Sequence, residues 1–218
     1  YVGDEFLNWD RVLAVEYAGE VRHQVAYYFE SPSGDWEYYS DSGESIRRMF
    51  LRSPLKYRRV SSGFDPKRFH PVLHKVKAHL AIDYAAPTGT PVWAWAGGVV
   101  TFVGRAGAAG NLVKIKHKDG YRSLYGHLNG FKRKLKAGDR VNQGDVIGYV
   151  GATGRATGPH LHFAVRHKGA FVNPFKLDNP PLTRLSEEFR PHFDETVRKY
   201  REQIEAIPID APRGRRTS

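Results

Sequence analysis

The sequence predicts a mainly β protein with an antiparallel sandwich or barrel-like domain at its centre, preceded by a small β-rich piece and followed by an amphipathic helix. Three observations carry this. From residue 79 to about residue 175, short alternating runs follow one another between closely spaced glycine turns, the pattern of an all-β sandwich or barrel. Residues 21–30 also alternate with period two. After Asn179-Pro180-Pro181 the apolar period becomes that of a helix.

In residues 1–52, Val21, His23, Val25, Tyr27 and Phe29 alternate with Arg22, Gln24, Ala26, Tyr28 and Glu30, which predicts a strand. Ser31-Pro32-Ser33-Gly34-Asp35 predicts a turn and residues 36–39 a second strand, hence a hairpin. Residues 45–51 are expected to form one helical turn before Pro54. So few residues hardly hold a core alone; the piece is expected to be truncated, or to pack on the main domain. Residues 53–177 are read as that main domain, entered through a linker-like stretch up to residue 78. Strands are expected at 92–96, 99–103, 112–117 and 122–128, with a turn-rich stretch at 137–148. Trp93 and Trp95 share a face that either packs in the core or walls a groove. Residues 178–218 form a helical extension and a basic tail. Phe193, Val197, Tyr200, Ile204 and Ile207 are spaced 4-3-4-3, an amphipathic stripe expected to dock on the protein. Pro191 suits the first turn of that helix.

Two segments carry the candidate chemistry. His79-Leu80-Ala81-Ile82-Asp83 places His79 and Asp83 on one face of an expected strand, with small Ala81 between them. His160-Leu161-His162-Phe163 puts two imidazoles on one face about 6.6 Å apart along a strand. That separation leaves one ring to bind metal while the other faces substrate. His79, Asp83 and His162 would supply two nitrogens and one oxygen, and a hydrolytic zinc takes three protein ligands and keeps a fourth position open. With ten histidines, either fragment alone is common by chance. His70 and His74 form another i,i+4 pair, but Pro71 interrupts it, so they are read as site-rim residues or bystanders. His23 and His117 read as strand-face and strand-edge residues, and Asn111 as a residue that could line a groove.

The net charge of +11 favours polyanions, including nucleic acid, an anionic membrane or an acidic wall polymer. No nucleic-acid recognition motif accompanies the charge. The absence of cysteine excludes disulfides and thiolate metal sites. No apolar run reaches membrane-spanning length. The chain begins at Tyr1 without Met, so it is expected to be a mature or trimmed form that has lost its targeting segment.

From about residue 61 to residue 174 the motifs resemble those of the LytM/lysostaphin family of zinc peptidoglycan endopeptidases. They are His79-x-x-x-Asp83, Tyr84-Ala85-Ala86-Pro87-x-Gly89-Thr90-Pro91-Val92, Gly97-Gly98-Val99-Val100 and Tyr125-Gly126-His127-Leu128. Further on come Gly138-Asp139-x-Val141-x-x-Gly144-x-x-Ile147-Gly148, Gly151-x-Thr153-Gly154 and Thr157-Gly158-Pro159-His160-Leu161-His162-Phe163. Order and spacing agree throughout. The resemblance implies a LytM-type fold with a duplicated hybrid motif around a groove. It also implies Zn2+ held by His79, Asp83 and His162, with His127 and His160 beside it as the catalytic histidines. Ala81 departs from the pattern, where members often carry Gly, and adds one methyl. Residues 38–51 are similar to the segment that precedes the catalytic domain in Gram-negative members. The implied activity is hydrolysis of peptide cross-links, D-alanyl-meso-diaminopimelate above all, by a monomer in the periplasm or cell envelope, or secreted. Peptidoglycan is the expected partner and nucleic acid is not.

An inactive relative that binds peptidoglycan or activates an amidase would share the fold, but such modules lose ligands or catalytic histidines, and here all five positions are filled. A lipoyl- or biotinyl-like carrier would explain Gly138-Asp139-x-Val141-x-x-Gly144. It would need an exposed modified lysine in a hairpin turn, and it leaves the histidines without a role.

Overall fold

Strands form where apolar residues alternate and a turn lets the chain reverse. The structure, a computed structural model, describes residues 11–19, 23–56, 59–70, 75–76 and 78–207. Two units emerge, one from the residues up to Met49 and from Pro180 onward, the other from Phe50–Asn179.

In the first unit, β1 (Ala14–Ala18), β2 (His23–Glu30) and β3 (Trp36–Tyr39) pair antiparallel in that order. The hairpin β2–β3 is the expected one; β1 has no counterpart in the expectations. Period two sends Tyr27, Phe29 and Tyr39 to one face. There they meet Phe193 and Val197 of α1 (Arg190–Glu205), with Pro191 in the first turn of that helix. The Phe193 ring is fully buried and lies edge-on to Tyr27, Phe29 and Tyr39 at centroid distances of 6.3, 5.6 and 5.8 Å. The small sheet thus gains its core from the far end of the chain, which answers the shortage of apolar residues in residues 1–52. The helical stripe is shorter than its spacing suggests. Val197 is buried and Tyr200 packs partly on the cluster, but Ile207 lies beyond the helix end and is 62% exposed. Residues 45–51 form no helical turn. Glu44 and Arg48 bridge to Arg184 and Pro181, and the Ser45 and Leu182 N–H groups donate to the Thr183 and Arg47 carbonyls. Those backbone groups are satisfied across the chain rather than along it.

The second unit holds a ten-stranded antiparallel sheet. Its strands are β4 (Arg59–Ser62), β7 (Ile82–Ala85), β8 (Pro91–Trp93), β9 (Gly98–Arg105), β10 (Asn111–Lys116), β11 (Tyr121–Phe131), β12 (Arg140–Val141), β13 (Val146–Val150), β14 (His160–His167) and β15 (Ala170–Val172). The main order is β12-β9-β10-β11-β14-β7-β4; β13 pairs with the end of β11 and with β8, and β15 with β14. A separate ribbon, β5 (Phe69–His70) with β6 (Lys75–Val76), stands apart from it. Ile82, Tyr84, Val92, Val113, Ile115, Tyr125, Leu128, Ile147, Leu161 and Phe163 are fully buried, each contributing roughly 1.5–3 kcal/mol. Trp95 is a core residue, stacked on Phe50 at 3.9 Å.

Candidate metal centre

The centre of the sheet brings the two candidate segments together. β14 pairs with β7 so that His162 faces Asp83. His79 lies ahead of β7, not within one strand from 79 to 83. It is held instead by a bridge to Asp65, with both N–H groups donating to the opposite carbonyls at 2.8 and 2.9 Å. The ligating atoms of His79, Asp83 and His162 all lie within 4.8 Å of one another. Asp83 Oδ2 is 3.0 Å from His79 Nε2, and Asp83 Oδ1 is 2.8 Å from His162 Nδ1. Ligands around a tetrahedral zinc stand about 3.3 Å apart, close to both Asp83 separations.

Three observations fit a metal here. The His79 Nδ1–H donates to the Gly63 carbonyl at 2.7 Å; a carbonyl only accepts, so the lone pair is on Nε2. That Nε2 is near Asp83 Oδ2 but not aligned with it, and among the described residues it is the one buried side-chain polar atom without a hydrogen-bond partner. Such orphans are costly unless something fills the site. Finally, two imidazoles and one carboxylate are a donor set suited to zinc.

His127 and His160 stand beside this group, with ring centroids 4.7 Å apart. Their Nδ1–H groups donate to Thr153 O at 2.7 Å and Gly158 O at 2.9 Å, so both Nε2 lone pairs are free to take a proton. His160 Nε2 is 4.0 Å from Asp83 Oδ1. His127 has φ +60°, a left-handed conformation uncommon outside glycine. Its cause is local: β11 carries one extra residue between Tyr125 and Leu128 where β10 has only Leu112 between Asn111 and Val113. A bulge of this kind re-aims a side chain.

The carbonyl that orients His127 is itself clamped. Thr153 Oγ1 donates to Leu128 O at 2.8 Å and accepts from Asn111 N–H at 2.9 Å. Gly110 and Gly154 let the two loops touch backbone to backbone, and a Cβ on Gly154 would lie 2.3 Å from Gly110 N. Asn111 is therefore a clamp residue, its Nδ2 donating to Leu128 O at 3.0 Å, rather than a groove lining. Thr153 was legible only as part of a motif, because its role belongs to its main chain and hydroxyl.

Residues 77–174 match the model of peptidase family M23. The chain belongs to this family. The M23 chain is 42% identical over 168 residues to the peptidoglycan DD-endopeptidase ShyC of Vibrio cholerae, covering 77% of this chain and 38% of that protein. It is 50% identical over 140 residues to the DD-carboxypeptidase/endopeptidase Mpg of Neisseria meningitidis, covering 63% of this chain and 32% of that protein. It therefore spans between about a third and two fifths of the length of these relatives. A zinc-containing peptidase from Vibrio cholerae superposes with a TM-score of 0.58 at 36% identity, over 77% of this chain and 51% of that one.

The electrostatics of the M23 site follow from its packing. Burial alone pushes the Asp83 carboxyl up, but the hydrogen bond and charge of His162 and the neighbouring His79 outweigh it and hold the group well below the usual carboxylate range. The Asp83 carboxylate raises His79 against burial, helped by the Gly63 carbonyl. Burial lowers His127, which helps keep it neutral; the Thr153 carbonyl offsets this only in part. His117 is not a strand-edge residue. It is buried, with Nδ1–H donating to Gly97 O at 2.9 Å and Nε2 at 2.7 Å from Ser123 Oγ. Ser123 Oγ in turn lies 2.9 Å from Tyr125 OH, which accepts the Trp95 N–H. His70 ends β5, and its side chain, like the whole of His74, lies outside the described residues.

Proposed function

We propose that this chain carries the catalytic domain of a zinc-dependent endopeptidase that hydrolyses peptide cross-links of peptidoglycan at DD-bonds, as part of wall remodelling in the cell envelope. The catalytic machinery lies in residues 53–177, with 1–52 and 178–218 as accessory parts. The observation that carries the reading is the convergence of three ligating atoms with two further imidazoles whose free lone pairs are set by backbone carbonyls. An inactive module has no need of that second pair. The named activities of ShyC and Mpg support the same choice.

His79, Asp83 and His162 would hold the zinc. When bound, zinc supplies Lewis acidity: it lowers the pKa of water toward neutrality and polarises a carbonyl. His127 and His160 carry the protons. One imidazole Nε2 accepts a proton as water attacks the scissile carbonyl carbon, and an imidazolium returns one to the leaving amine as the C–N bond breaks. The same pair, protonated, stabilises charge on the carbonyl oxygen. Burial of His127 favours the neutral base at neutral pH. The decisive experiment is mass spectrometry of muropeptides released from defined sacculi, with and without chelator. Loss of dimers in favour of monomers, abolished by chelation and restored by zinc, is expected. Unchanged dimers with zinc-loaded protein would overturn the proposal.

A further inference from the structure

The cleft over the metal group carries a charge pattern that hydrolysis alone does not require. It measures about 580 Å³, and Arg68 and Arg155 line it together with the five site residues. Asp83 is its single acidic lining residue among those described, and it is engaged between His79 and His162. Two guanidiniums thus border a cleft that offers them no carboxylate of its own.

The two arginines differ in what already holds them. Arg68 donates from Nη1 to Ser62 Oγ at 3.2 Å, and Ser62 Oγ lies 3.2 Å from His79 Nδ1, so Arg68 belongs to the support of His79. Arg155 follows Gly154 in the turn whose Thr153 carbonyl orients His127, and its own N–H donates to Ala108 O at 2.8 Å. Its main chain is fixed and its side chain exposed. None of the ion pairs among the described residues includes it.

We propose that Arg155 binds a free carboxylate on the leaving residue of the substrate, beside the scissile amide, and selects substrates that carry one. The inference rests on the endopeptidase reading above. In a D-alanyl-D-alanine terminus and in a D-alanyl-diaminopimelyl cross-link, the leaving D-centre bears the amide nitrogen and a free carboxylate on the same carbon. That nitrogen must reach an imidazole to be protonated as the C–N bond breaks. The carboxylate, two bonds away, then comes to the same part of the cleft, where Arg155 stands with the His127 turn. A guanidinium pairs with a carboxylate through two parallel N–H···O bonds, which a lysine reproduces only as a point charge. The interior residues of a glycine bridge have no such group.

The test uses two cross-linked muropeptide dimers that differ only in whether the carboxylate beside the scissile amide is free or amidated. Zinc-loaded wild type is expected to prefer the free dimer about 10- to 100-fold in kcat/KM, the worth of one charged hydrogen-bonded contact. Arg155→Ala should bring the free dimer down to the rate of the amidated one, mainly through KM. Arg155→Lys should recover part of the preference, with zinc content and melting unchanged in both variants. Equal rates on the two dimers in wild type, or a preference that persists in Arg155→Ala, would overturn the inference. Failure of the wild type to cleave either dimer would overturn the endopeptidase reading and this inference with it.

Discussion

At the scale of single residues, the proposed function divides the site into atoms that hold an ion and atoms that move protons. His162 supplies one of three ligating groups, so His162→Ala should lose most bound zinc, as measured by metal analysis after dialysis. His127 should behave differently. Asparagine tolerates the left-handed backbone found there better than alanine does. His127→Asn is therefore expected to keep zinc and its thermal transition while hydrolysis falls by about a hundredfold or more. Full zinc in the first variant, or wild-type turnover in the second, would break the division of roles. His117 gives a stability effect instead. Burial lowers its pKa against the pull of the Gly97 carbonyl, so near pH 6.5 the unfolded chain binds the proton and the folded one does not. The contribution of His117 is then complete above that pH and lost as the pH falls below it. Metal-free wild type should lose melting temperature between about pH 7 and pH 5 more steeply than metal-free His117→Gln. Parallel curves would refute this.

At the scale of elements, two contacts decide whether the residues arrive in place. One is the backbone touch between the loop before β10 and the turn after β13. A Cβ on Gly154 would lie 2.3 Å from Gly110 N, at a φ of +75° that disfavours side chains. Gly154→Ala should shift Thr153 and with it the carbonyl that orients His127. Activity is expected to drop more than tenfold with zinc retained, measured by muropeptide release and metal analysis. The other is the seat of α1 on β1–β3. Phe193 is fully buried among Tyr27, Phe29 and Tyr39. Phe193→Ala should cost about 3–5 kcal/mol in the unfolding of that unit and leave zinc content unchanged. An unaltered melting curve would show that the helix does not strap the small sheet.

At the scale of the whole molecule, the proposed encounter with a wall polymer is expected to depend on charge. A net +11 over 218 residues predicts salt-sensitive binding to anionic sacculi. Raising salt from about 0.1 M to about 1 M shortens the screening length from about 10 Å to about 3 Å. Pull-down of His160→Ala with intact sacculi should weaken several-fold over that range, and salt-independent binding would exclude a charge-driven encounter. Among the described residues, no helix is long and apolar enough to cross a membrane.

The sequence by itself determined the class of fold and the residue types of the candidate site. Period-two runs between glycine turns gave strands at β2, β3, β9, β10 and β11 because side-chain direction in a strand depends only on local alternation. The residue types at His79, Asp83 and His162, in their motif order, marked a metal group, and His127 and His160 marked the two imidazoles that the structure brings beside it. What required the tertiary structure were the relations between distant segments. The carbonyls of Gly63, Thr153 and Gly158 choose the tautomers of His79, His127 and His160, and a carbonyl looks the same at every position of a sequence. His79 is fixed by Asp65 rather than by the strand it seemed to begin. His117 looked like an edge residue because its burial comes from Gly97 and Ser123, across a turn and on another strand. The small N-terminal sheet lacked a core in its own residues because the missing half, Phe193 and Val197, lies more than 150 residues away. Hydrogen bonds and packing are pairwise in space, and only folding sets which pairs are neighbours.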